Sequence, residues 1–147
     1  MERLPYIDEY HVHLPCQPAV AWGALGSVLC SELGGAPPGA FVSVMGLEPP
    51  ARSGDWATPI EIGDALPGFE VRELRQQEHL TLVGRHRFSR YALVFDLDEI
   101  EGGTRLRAQT WAAFPGLFGR AYRAIVIGSR MHRLVVRRLL RRVGERA

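Results

Sequence analysis

Four alternating segments in the second half of the chain constrain its fold more than any other feature. They span residues 69–75, 79–88, 91–97 and 106–114. Apolar and polar residues alternate along them, which is the period of a strand with one buried face. The connections are short, and one contains the turn signal Glu101-Gly102-Gly103. Short connections between alternating strands predict an antiparallel meander.

A strand and a helix are predicted ahead of this meander. Residues 7–14 alternate and are followed by Pro15, which ends a strand. The apolar face of this strand carries Tyr10, Val12 and Leu14. Residues 18–33 form a helix, because a proline suits its first turn and Gly34-Gly35 ends it.

The segment between the helix and the meander is rich in turn residues. Residues 34–68 contain seven Gly and six Pro, which predicts turns and short elements. One short helix or strand is expected at residues 41–45. We expect a loop-rich rim instead of a linker, because Trp56, Ile60 and Ile62 need burial.

Residues 117–143 are predicted to form one continuous helix of about 40 Å. On a helical wheel, apolar residues near both ends form one stripe and arginines occupy the remaining arc. The stripe comprises Phe118, Ala121, Tyr122, Ile125, Val136, Leu139, Leu140 and Val143. Gly128, Ser129 and His132 interrupt its middle with small or polar side chains. A helix that packs directly on a sheet would carry apolar residues along its whole inward stripe. The interrupted stripe therefore predicts a helix that lies over a cavity.

The charge is unevenly distributed along the chain. All 18 residues counted as Lys or Arg are arginine, which is typical of a GC-rich genome. Residues 117–147 carry nine Arg and one Glu, or +8, whereas the remainder carries −6. A basic helix surface suits an anionic partner, such as an acidic carrier protein, RNA or an anionic membrane. We expect no nucleic-acid partner, because no base-stacking motif accompanies the charge.

The sequence lacks the motifs of several functional classes. At 147 residues it predicts a single domain, 1–147, with a sizeable core. We expect a cytoplasmic protein, because we find neither a secretory signal nor a run of about 18 apolar residues that would span a membrane. We predict no cofactor, because we find no glycine-rich phosphate loop, paired-carboxylate site or nucleophile motif.

The cysteines and the first histidines predict neither a disulfide nor a metal site. Cys16 and Cys30 lie about 21 Å apart if one helix spans them, so we expect reduced, packed thiols. His11 and His13 share a strand face with Glu9, opposite the apolar face. We therefore expect these histidines to face solvent and predict no metal site.

The order of these elements, together with several short motifs, resembles a known superfamily. The motifs are Ile62-Gly63-Asp64-Ala65-Leu66, Leu80-Thr81-Leu82, Gly103-Thr104-Arg105-Leu106, the run from Pro115 to Tyr122, and Met131-His132-Arg133-Leu134-Val135. The chain resembles the START-like, polyketide cyclase/dehydrase (SRPBCC) superfamily, and within it a bacterial branch often fused to short-chain dehydrogenases. The resemblance implies an α+β helix-grip fold, in which a curved antiparallel sheet wraps around a long C-terminal helix and short helices follow the first strand. It also implies a ligand cavity between sheet and helix, without a fixed catalytic residue set.

His132 is the strongest candidate for a polar group inside this cavity. It shares a helix face with Ser129, so a carbonyl or hydroxyl ligand would meet both side chains. The alternative is a core histidine that bonds to the sheet or to Ser129. Tyr122 on the same stripe, and Tyr91 and His86 on inward strand faces, suit either an amphipathic cavity or ordinary core packing.

These residues support one main functional hypothesis and two alternatives. We predict binding of an apolar or aromatic small molecule, lipid- or polyketide-like, in an internal cavity. The predicted ligand-binding residues are Ser129, His132, Tyr122, Gly128, His86, Tyr91, Ile125 and Trp56. One alternative is a cyclase- or dehydratase-type enzyme in which His132 or Tyr122 moves a proton. The other is an interaction module that uses the arginine face, and Trp111, on an outward strand face, suits a homodimer contact.

Overall fold

The structure of the chain is a computed structural model. It describes residue 4 and residues 6–33, 60–66, 69–86, 89–113 and 131–146. The elements are β1 (Tyr6–Leu14), α1 (Pro18–Leu33), β2 (Ala65–Leu66), β3 (Phe69–Arg75), β4 (His79–His86), β5 (Ser89–Ile100), β6 (Gly103–Ala113) and α2 (Met131–Arg146). Sheet and helices occur in one chain with antiparallel pairing throughout, which confirms the predicted α+β fold.

The six strands form one antiparallel sheet in the order β1-β6-β5-β4-β3-β2. Strands β3 to β6 follow one another as the predicted meander, and β1 pairs with β6 at the end of the order. The pairing register shifts between Tyr6 and Asp8 in β1 and between Val71 and Glu73 in β3. Such bulges bend a strand and increase its twist, so the sheet is curved.

Both helices pack against the same face of the sheet, which we call the core face. The strand residues buried there are largely those predicted from the alternation: Leu80, Leu82, Leu93, Phe95, Leu97, Leu106, Ala108 and Ala112. The helix α1 adds Ala21, Trp22, Ala24, Leu25, Val28 and Leu29. Burial of the ten larger side chains among these, each worth about 1.5–3 kcal/mol, is the main favourable term for this packing.

The C-terminal helix α2 confirms the predicted apolar stripe over its described part. Its inward residues Val136, Leu139, Leu140 and Val143 are all buried. Arg137, Arg138 and Arg141 lie on the exposed side, as predicted. The helix continues three residues past the predicted end, to Arg146. The earlier part of the predicted helix, residues 117–130, lies outside the described residues.

Two contacts fix how α2 runs along the edge strand β1. The guanidinium carbon of Arg137 lies 5.2 Å from the centre of the Tyr10 ring, within cation–π range. A Cβ built on Gly144 would lie 3.7 Å from Cδ2 of Leu14. The helix therefore passes from the level of Tyr10 to the level of Leu14. Its first turn, which includes His132, precedes the contact of Arg137 with Tyr10.

The end of the core face near Leu14, which we call the closed end, is tightly packed. Gly103 has φ +155 and approaches so closely that a Cβ there would meet the carbonyl oxygen of Leu14. The hydroxyl of Thr104 donates to the carbonyl oxygen of Cys16 at 2.8 Å. Leu14, Thr104 and Val143 are at most 1% exposed. The sheet, α2 and the residues that lead into α1 are therefore in contact with one another at the closed end.

The turn between β3 and β4 holds α1 in place through one side chain. Trp22 Nε1 donates to Oε1 of Gln76 at 3.0 Å, and Nε2 of Gln76 donates to the carbonyl oxygen of Ile60 at 2.8 Å. Gln77, next to this side chain, has φ 65 and turns the chain into β4. One glutamine therefore joins the helix, the turn and the segment that leads into β2.

One burial prediction in that segment is confirmed and another is wrong. Ile60 is 4% exposed, as expected, but Ile62 is 67% exposed. Ile62 lies in a tight turn closed by a bond from the Asp64 amide to the Glu61 carbonyl, with Gly63 at φ +95. A side chain at the tip of such a turn points away from the sheet. Trp56 and the element expected at residues 41–45 lie outside the described residues.

Candidate functional site

The size and polarity of the side chains on the core face differ between its two ends. Aligned rows across the sheet begin with Leu14 opposite Thr104 at the closed end and continue through Val12 opposite Leu106. The next rows carry Tyr10 opposite Ala108 and then Asp8 opposite Thr110. The last row of β6 places Ala112 opposite Tyr91 of β5, which pairs in turn with Gly84 of β4. Along β1 and β6, large aliphatic side chains thus give way to small, aromatic and polar ones, whereas β5 still places Leu93 opposite Thr110. We call the set Asp8, Thr110, Ala112, Tyr91 and Gly84 the Thr110 site.

Thr110 stands out among the three buried polar residues in the described part of the chain. Thr104, Thr81 and Thr110 are all at most 5% exposed. Thr104 donates to a backbone carbonyl, and the Thr81 hydroxyl lies 2.9 Å from Nε2 of His79. The Thr110 hydroxyl is buried and has no hydrogen-bond partner among the described residues. Leaving a buried hydroxyl unpaired lowers the free energy of unfolding by about 1–3 kcal/mol, so a hydrogen bond from this group to a ligand would recover free energy.

An aromatic pair borders the Thr110 site on its far side. The rings of Phe69 and Tyr91 meet edge to face with centroids 5.1 Å apart. Gly84 lies between their strands, opposite Tyr91, and has no side chain to separate the rings. Such contacts between a glycine and flanking aromatic rings stabilise a sheet and also leave apolar ring surface facing the core side.

The opposite side of the Thr110 site is acidic. Asp8 pairs directly with Thr110, so both side chains lie on the core face, and Asp8 is half-buried. Partial desolvation raises the pKa of Tyr6 above its usual 10.0, and the negative charges of Glu9 and Asp8 raise it further. Asp8 thus places a carboxylate on the core face beside the Thr110 hydroxyl, whereas Tyr6 and Glu9 lie on the outer face. Together these groups can orient the polar part of a ligand whose apolar part contacts aromatic rings.

The predicted site residues fall largely outside what the structure describes. Tyr91 is half-buried on the core face, where the alternation places it. The backbones of His86 and His132 belong to β4 and to the first turn of α2, but their side chains are outside the described part. The remaining candidates also lie outside it: Trp56, Tyr122, Ile125, Gly128 and Ser129. Their role in ligand binding stays a prediction.

Sequence reasoning did not select Asp8 or Thr110, although the signals were present. Thr110 belongs to the inward set of its strand, and Asp8 is in phase with Tyr10 and Val12. A polar residue in phase with a buried stripe marks a candidate site when no partner is at hand. The lack of a partner for Thr110 depends on the whole fold, so the strand pattern could not reveal it.

The outer face of the sheet carries a second polar cluster, and here every member has partners. Nδ1 of His79 lies 2.6 Å from Oδ1 of Asp96, and its Nε2 lies 2.9 Å from Oγ1 of Thr81. Glu73 approaches the same Nε2 at 3.4 Å. Register pairing places the residues on three adjacent strands, β3, β4 and β5. The arrangement holds these strands together across the outer face, where Thr81 is buried beneath the imidazole.

The remaining outer-face predictions are also placed by the structure. His11 and His13 are exposed, as predicted, and their ring centroids lie 6.0 Å apart. Trp111 lies on the outer face, as predicted, and its ring meets the ring of Tyr6 at 5.2 Å. Within the described ranges, no three His, Cys, Asp or Glu side chains come together in a group that could hold a metal ion.

Cys16 and Cys30 form no disulfide, and both are half-buried against the core, in agreement with the prediction of packed thiols. Neither helix in the described part of the chain has the length and apolarity that a membrane crossing requires.

The arginine face of α2 is present as predicted over its described part. Arg137, Arg138 and Arg141 are exposed, and Arg142 is half-buried. The one acidic residue of this helix, Glu145, lies 4.0 Å from Nε of Arg141. The homodimer and the anionic partner stay predictions.

Comparison with known proteins places the chain in a family. The family described as "Protein of unknown function (DUF2867)" matches residues 39–139. The chain belongs to the DUF2867 family. The match includes β2 to β6 and the first part of α2, so it covers most of the Thr110 site. No curated protein matches the chain.

Solved structures share the fold at low sequence identity. A protein from Rhodobacter sphaeroides is 17% identical with a TM-score of 0.57, covering 92% of this chain and 88% of that one. CalU16 from Micromonospora echinospora is 14% identical with a TM-score of 0.51, covering 94% and 81%. DynU16, from the dynemicin biosynthetic locus, is 14% identical with a TM-score of 0.55. The match covers 93% of this chain but 45% of DynU16, so the chain spans less than half of that protein. At these identities the likenesses show the fold alone.

Proposed function

We propose that this DUF2867 protein is a START-like, helix-grip protein of the cytoplasm that binds an apolar or aromatic small molecule. The ligand lies between the sheet and the C-terminal helix, at the Thr110 site. The lipid- or polyketide-like character of the ligand agrees with the fold likeness to a protein of the dynemicin biosynthetic locus. Burial of apolar ligand surface drives binding, at about 25 cal/mol per Å² before the costs of ordering.

The observation that carries this proposal is the unpaired Thr110 hydroxyl on the core face. Native proteins pair nearly all buried polar groups, and an exception calls for a water, an ion or a ligand. In its own row Thr110 faces Leu93 of β5, and the next row of the core face carries Ala112 and Gly84. Small side chains beside an unpaired hydroxyl and two aromatic rings are the composition of a small-molecule site.

Blocking the site with a larger side chain tests the proposal. The probe is the neutral fluorophore N-phenyl-1-naphthylamine, and native mass spectrometry checks the purified chain for a retained ligand. Ala112→Phe fills the core face next to Tyr91, whereas Ala113→Phe places the same ring on the outer face. We expect the first variant to lose at least tenfold in probe affinity and the second to match the parent.

Two further measurements keep that test decisive. Thermal unfolding of Ala112→Phe checks that the chain still folds, because overpacking costs about 1–3 kcal/mol. Ala112→Leu repeats the block with a smaller side chain if the phenylalanine variant is unstable. Absence of both a retained ligand and probe binding in the parent chain overturns the proposal, and so does equal binding by the Ala112 and Ala113 variants.

A second candidate function rests on the exposed arginines of α2. Arg137, Arg138 and Arg141 lie on adjacent turns and face away from the core. An interaction module that uses them binds an acidic protein with an affinity that falls steeply between low and physiological salt. Substitution of these three residues by glutamine would abolish that binding, whereas Ala112→Phe would leave it unchanged.

A further inference from the structure

The strand β1 is an edge of the described sheet. It stands first in the strand order, and among the described residues only β6 pairs with it. The pairing runs without a shift from Asp8 to Leu14, past the bulge between Tyr6 and Asp8. Backbone N–H and C=O groups on the far side of an edge strand form a template for a further strand. We call residues Tyr10–Leu14 of β1 the open edge.

The helix α2 lies over the open edge and runs along it. The contacts of α2 with the sheet are mainly with β1, whereas α1 contacts β5 and β6. Arg137 lies over the ring of Tyr10, and Gly144 faces Leu14. Between these two contacts the helix rises about 10 Å and the strand extends about 13 Å. Helix and strand therefore run side by side in the same direction.

Two arginines of α2 border the open edge. Arg137 and Arg141 are both exposed, and residues four apart share one side of a helix. Among the described residues Arg137 has no ion pair, and the ion pair of Arg141 with Glu145 is long, at 4.0 Å. Four helical residues rise about 6 Å, and two strand residues extend about 7 Å. Carboxylates at alternate positions of an added strand would therefore match the spacing of the two guanidinium groups.

The open edge itself carries no acidic residue. Its outer-face side chains are His11 and His13, which are both exposed. The acidic residues of β1 precede the open edge in the sequence. An acidic strand added here would meet arginines on the core side and imidazoles on the outer side. A cationic strand would be repelled by Arg137 and Arg141.

A second copy of the chain fits the open edge less well than an acidic strand does. Antiparallel pairing of two open edges would bring the α2 helices of both copies side by side. Arg137 and Arg141 of one copy would then lie opposite the same arginines of the other, and like charges in such positions are unfavourable. The distribution of charge thus favours an acidic partner over a homodimer.

We propose that the open edge of β1 accepts an acidic, extended segment of a partner protein as an additional strand. Acidic side chains at alternate positions of that segment face Arg137 and Arg141. Main-chain hydrogen bonds provide affinity in this mode of recognition, and the alternate side chains provide specificity. The proposal rests on the second candidate function, binding of an acidic protein, and names the surface and the form of the partner. It is independent of the Thr110 site.

Two peptides of equal composition test the proposal. One consists of five Glu-Thr repeats, so that all of its carboxylates lie on one side when it is extended. The other has five Glu followed by five Thr, so that successive carboxylates lie on opposite sides. Both carry fluorescein, and fluorescence polarisation at low salt measures their affinity for the full chain. We expect the alternating peptide to bind at least about threefold more tightly, because more of its charges reach the arginines.

Hydrogen exchange of the backbone amides tests whether the peptide pairs as a strand. The amides of the open edge that point away from β6 alternate along the strand. We expect those amides to exchange at least about tenfold more slowly when the alternating peptide is bound. The intervening amides already bond to β6 and serve as the internal control. Two-dimensional NMR resolves the two sets.

A double substitution and a matched control assign the charge preference to α2. Arg137→Gln with Arg141→Gln should weaken binding of the alternating peptide by about tenfold or more, since two ion pairs are lost. Arg72→Gln with Arg75→Gln removes the same charge from exposed residues of β3, which lies four strands away from β1. This control should change the affinity by less than about twofold. Thermal unfolding confirms that both variants fold.

The outcomes separate this proposal from the second candidate function. Binding that depends on Arg137 and Arg141 but leaves the amides of the open edge unprotected overturns strand addition and leaves the acidic-protein function standing. Binding of neither peptide by the folded parent chain overturns both. Equal losses in the two double variants overturn the role given to α2. Protection of the same amides in the concentrated chain without peptide, together with a dimer in sedimentation, would identify a second copy as the occupant and overturn the proposal.

Discussion

The two ends of the core face differ in whether a buried threonine hydroxyl has a hydrogen-bond partner. At the closed end, the Thr104 hydroxyl donates to the Cys16 carbonyl, and the backbone of Gly103 touches that of Leu14. At the Thr110 site, a threonine on the same strand is also buried but has no partner among the described residues. Thr104 and Thr110 lie on the same strand, β6, so the difference in hydrogen bonding arises from the groups that pack on each end of this strand. We interpret the closed end as the part that holds the fold together and the Thr110 site as the part reserved for binding.

A third buried threonine, Thr81 on the outer face, extends this comparison. Thr81 is as buried as Thr110, yet its hydroxyl is paired with His79, which is itself paired with Asp96. The fold therefore supplies partners for a buried threonine on either face when the residue has a structural role. The unpaired hydroxyl of Thr110 is therefore specific to this site and is not common to the buried threonines in the described part of the sheet.

The largest effect on stability is expected at Gly103. In Gly103→Ala the new Cβ would overlap the carbonyl oxygen of Leu14, and φ +155 is unfavourable for alanine. Backbone displacement and strain together should lower the free energy of unfolding by about 4 kcal/mol or more. Gly102→Ala is the matched control, since φ is +84 but nothing lies within 4 Å of its Cβ. Urea denaturation should show a loss of about 1 kcal/mol for Gly102→Ala, and equal losses in the two variants would contradict a closed end built on contact.

A somewhat smaller loss is expected when α2 is weakened against the sheet. Leu140 is 4% exposed in the core cluster, so Leu140→Ala removes buried volume and should cost about 3 kcal/mol. The exposed neighbour provides the control, because Arg141→Ala should change stability by at most about 0.5 kcal/mol. Both are measured as midpoints and slopes of urea unfolding curves. A loss below about 1 kcal/mol in Leu140→Ala would mean that α2 does not close this end of the core.

Removal of a paired hydroxyl comes next in size. Thr104→Val keeps the shape of the side chain but leaves the Cys16 carbonyl without its donor at 2.8 Å. An unpaired buried carbonyl costs about 1–3 kcal/mol, so a loss of about 1.5 kcal/mol is expected. Thermal unfolding measures it as a lowered midpoint. An unchanged midpoint would show that the hydrogen bond does not contribute to the closed end.

The parts of this fold that were predictable are those that depend on local periodicity. The alternation of residues 91–97 places Leu93, Phe95 and Leu97 on one face, and the structure buries all three. The period of α2 likewise places Val136 and Leu140 inward. A strand or helix pattern repeats within a few residues, so it can be seen without knowledge of the rest of the chain.

The parts that were not predictable depend on contacts between distant residues. Gln76 binds Trp22, 54 positions away, and no local pattern marks that pair. Ile62 was expected to be buried because it is apolar, but a four-residue turn places it at the surface. The candidate site falls in the same class. The alternation of residues 106–114 puts Thr110 on the inward face, but its distinguishing property is the lack of a partner among the described residues, which only the packed sheet defines.

The smallest effect on stability should come from Thr110, the residue on which the proposed function depends most. Thr110→Val replaces an unpaired buried hydroxyl by a methyl group of similar shape, so no hydrogen bond among the described residues is lost. The free energy of unfolding of the ligand-free chain should stay within about 0.5 kcal/mol of the parent or rise, because desolvation of the hydroxyl is no longer required. Thr81→Val is the control on the outer face, and it should cost about 1 kcal/mol because it leaves His79 Nε2 without Oγ1 at 2.9 Å. If Thr110→Val destabilises the ligand-free chain as much as Thr104→Val does, the hydroxyl already has a structural partner, and the contrast between the two ends of the core face fails.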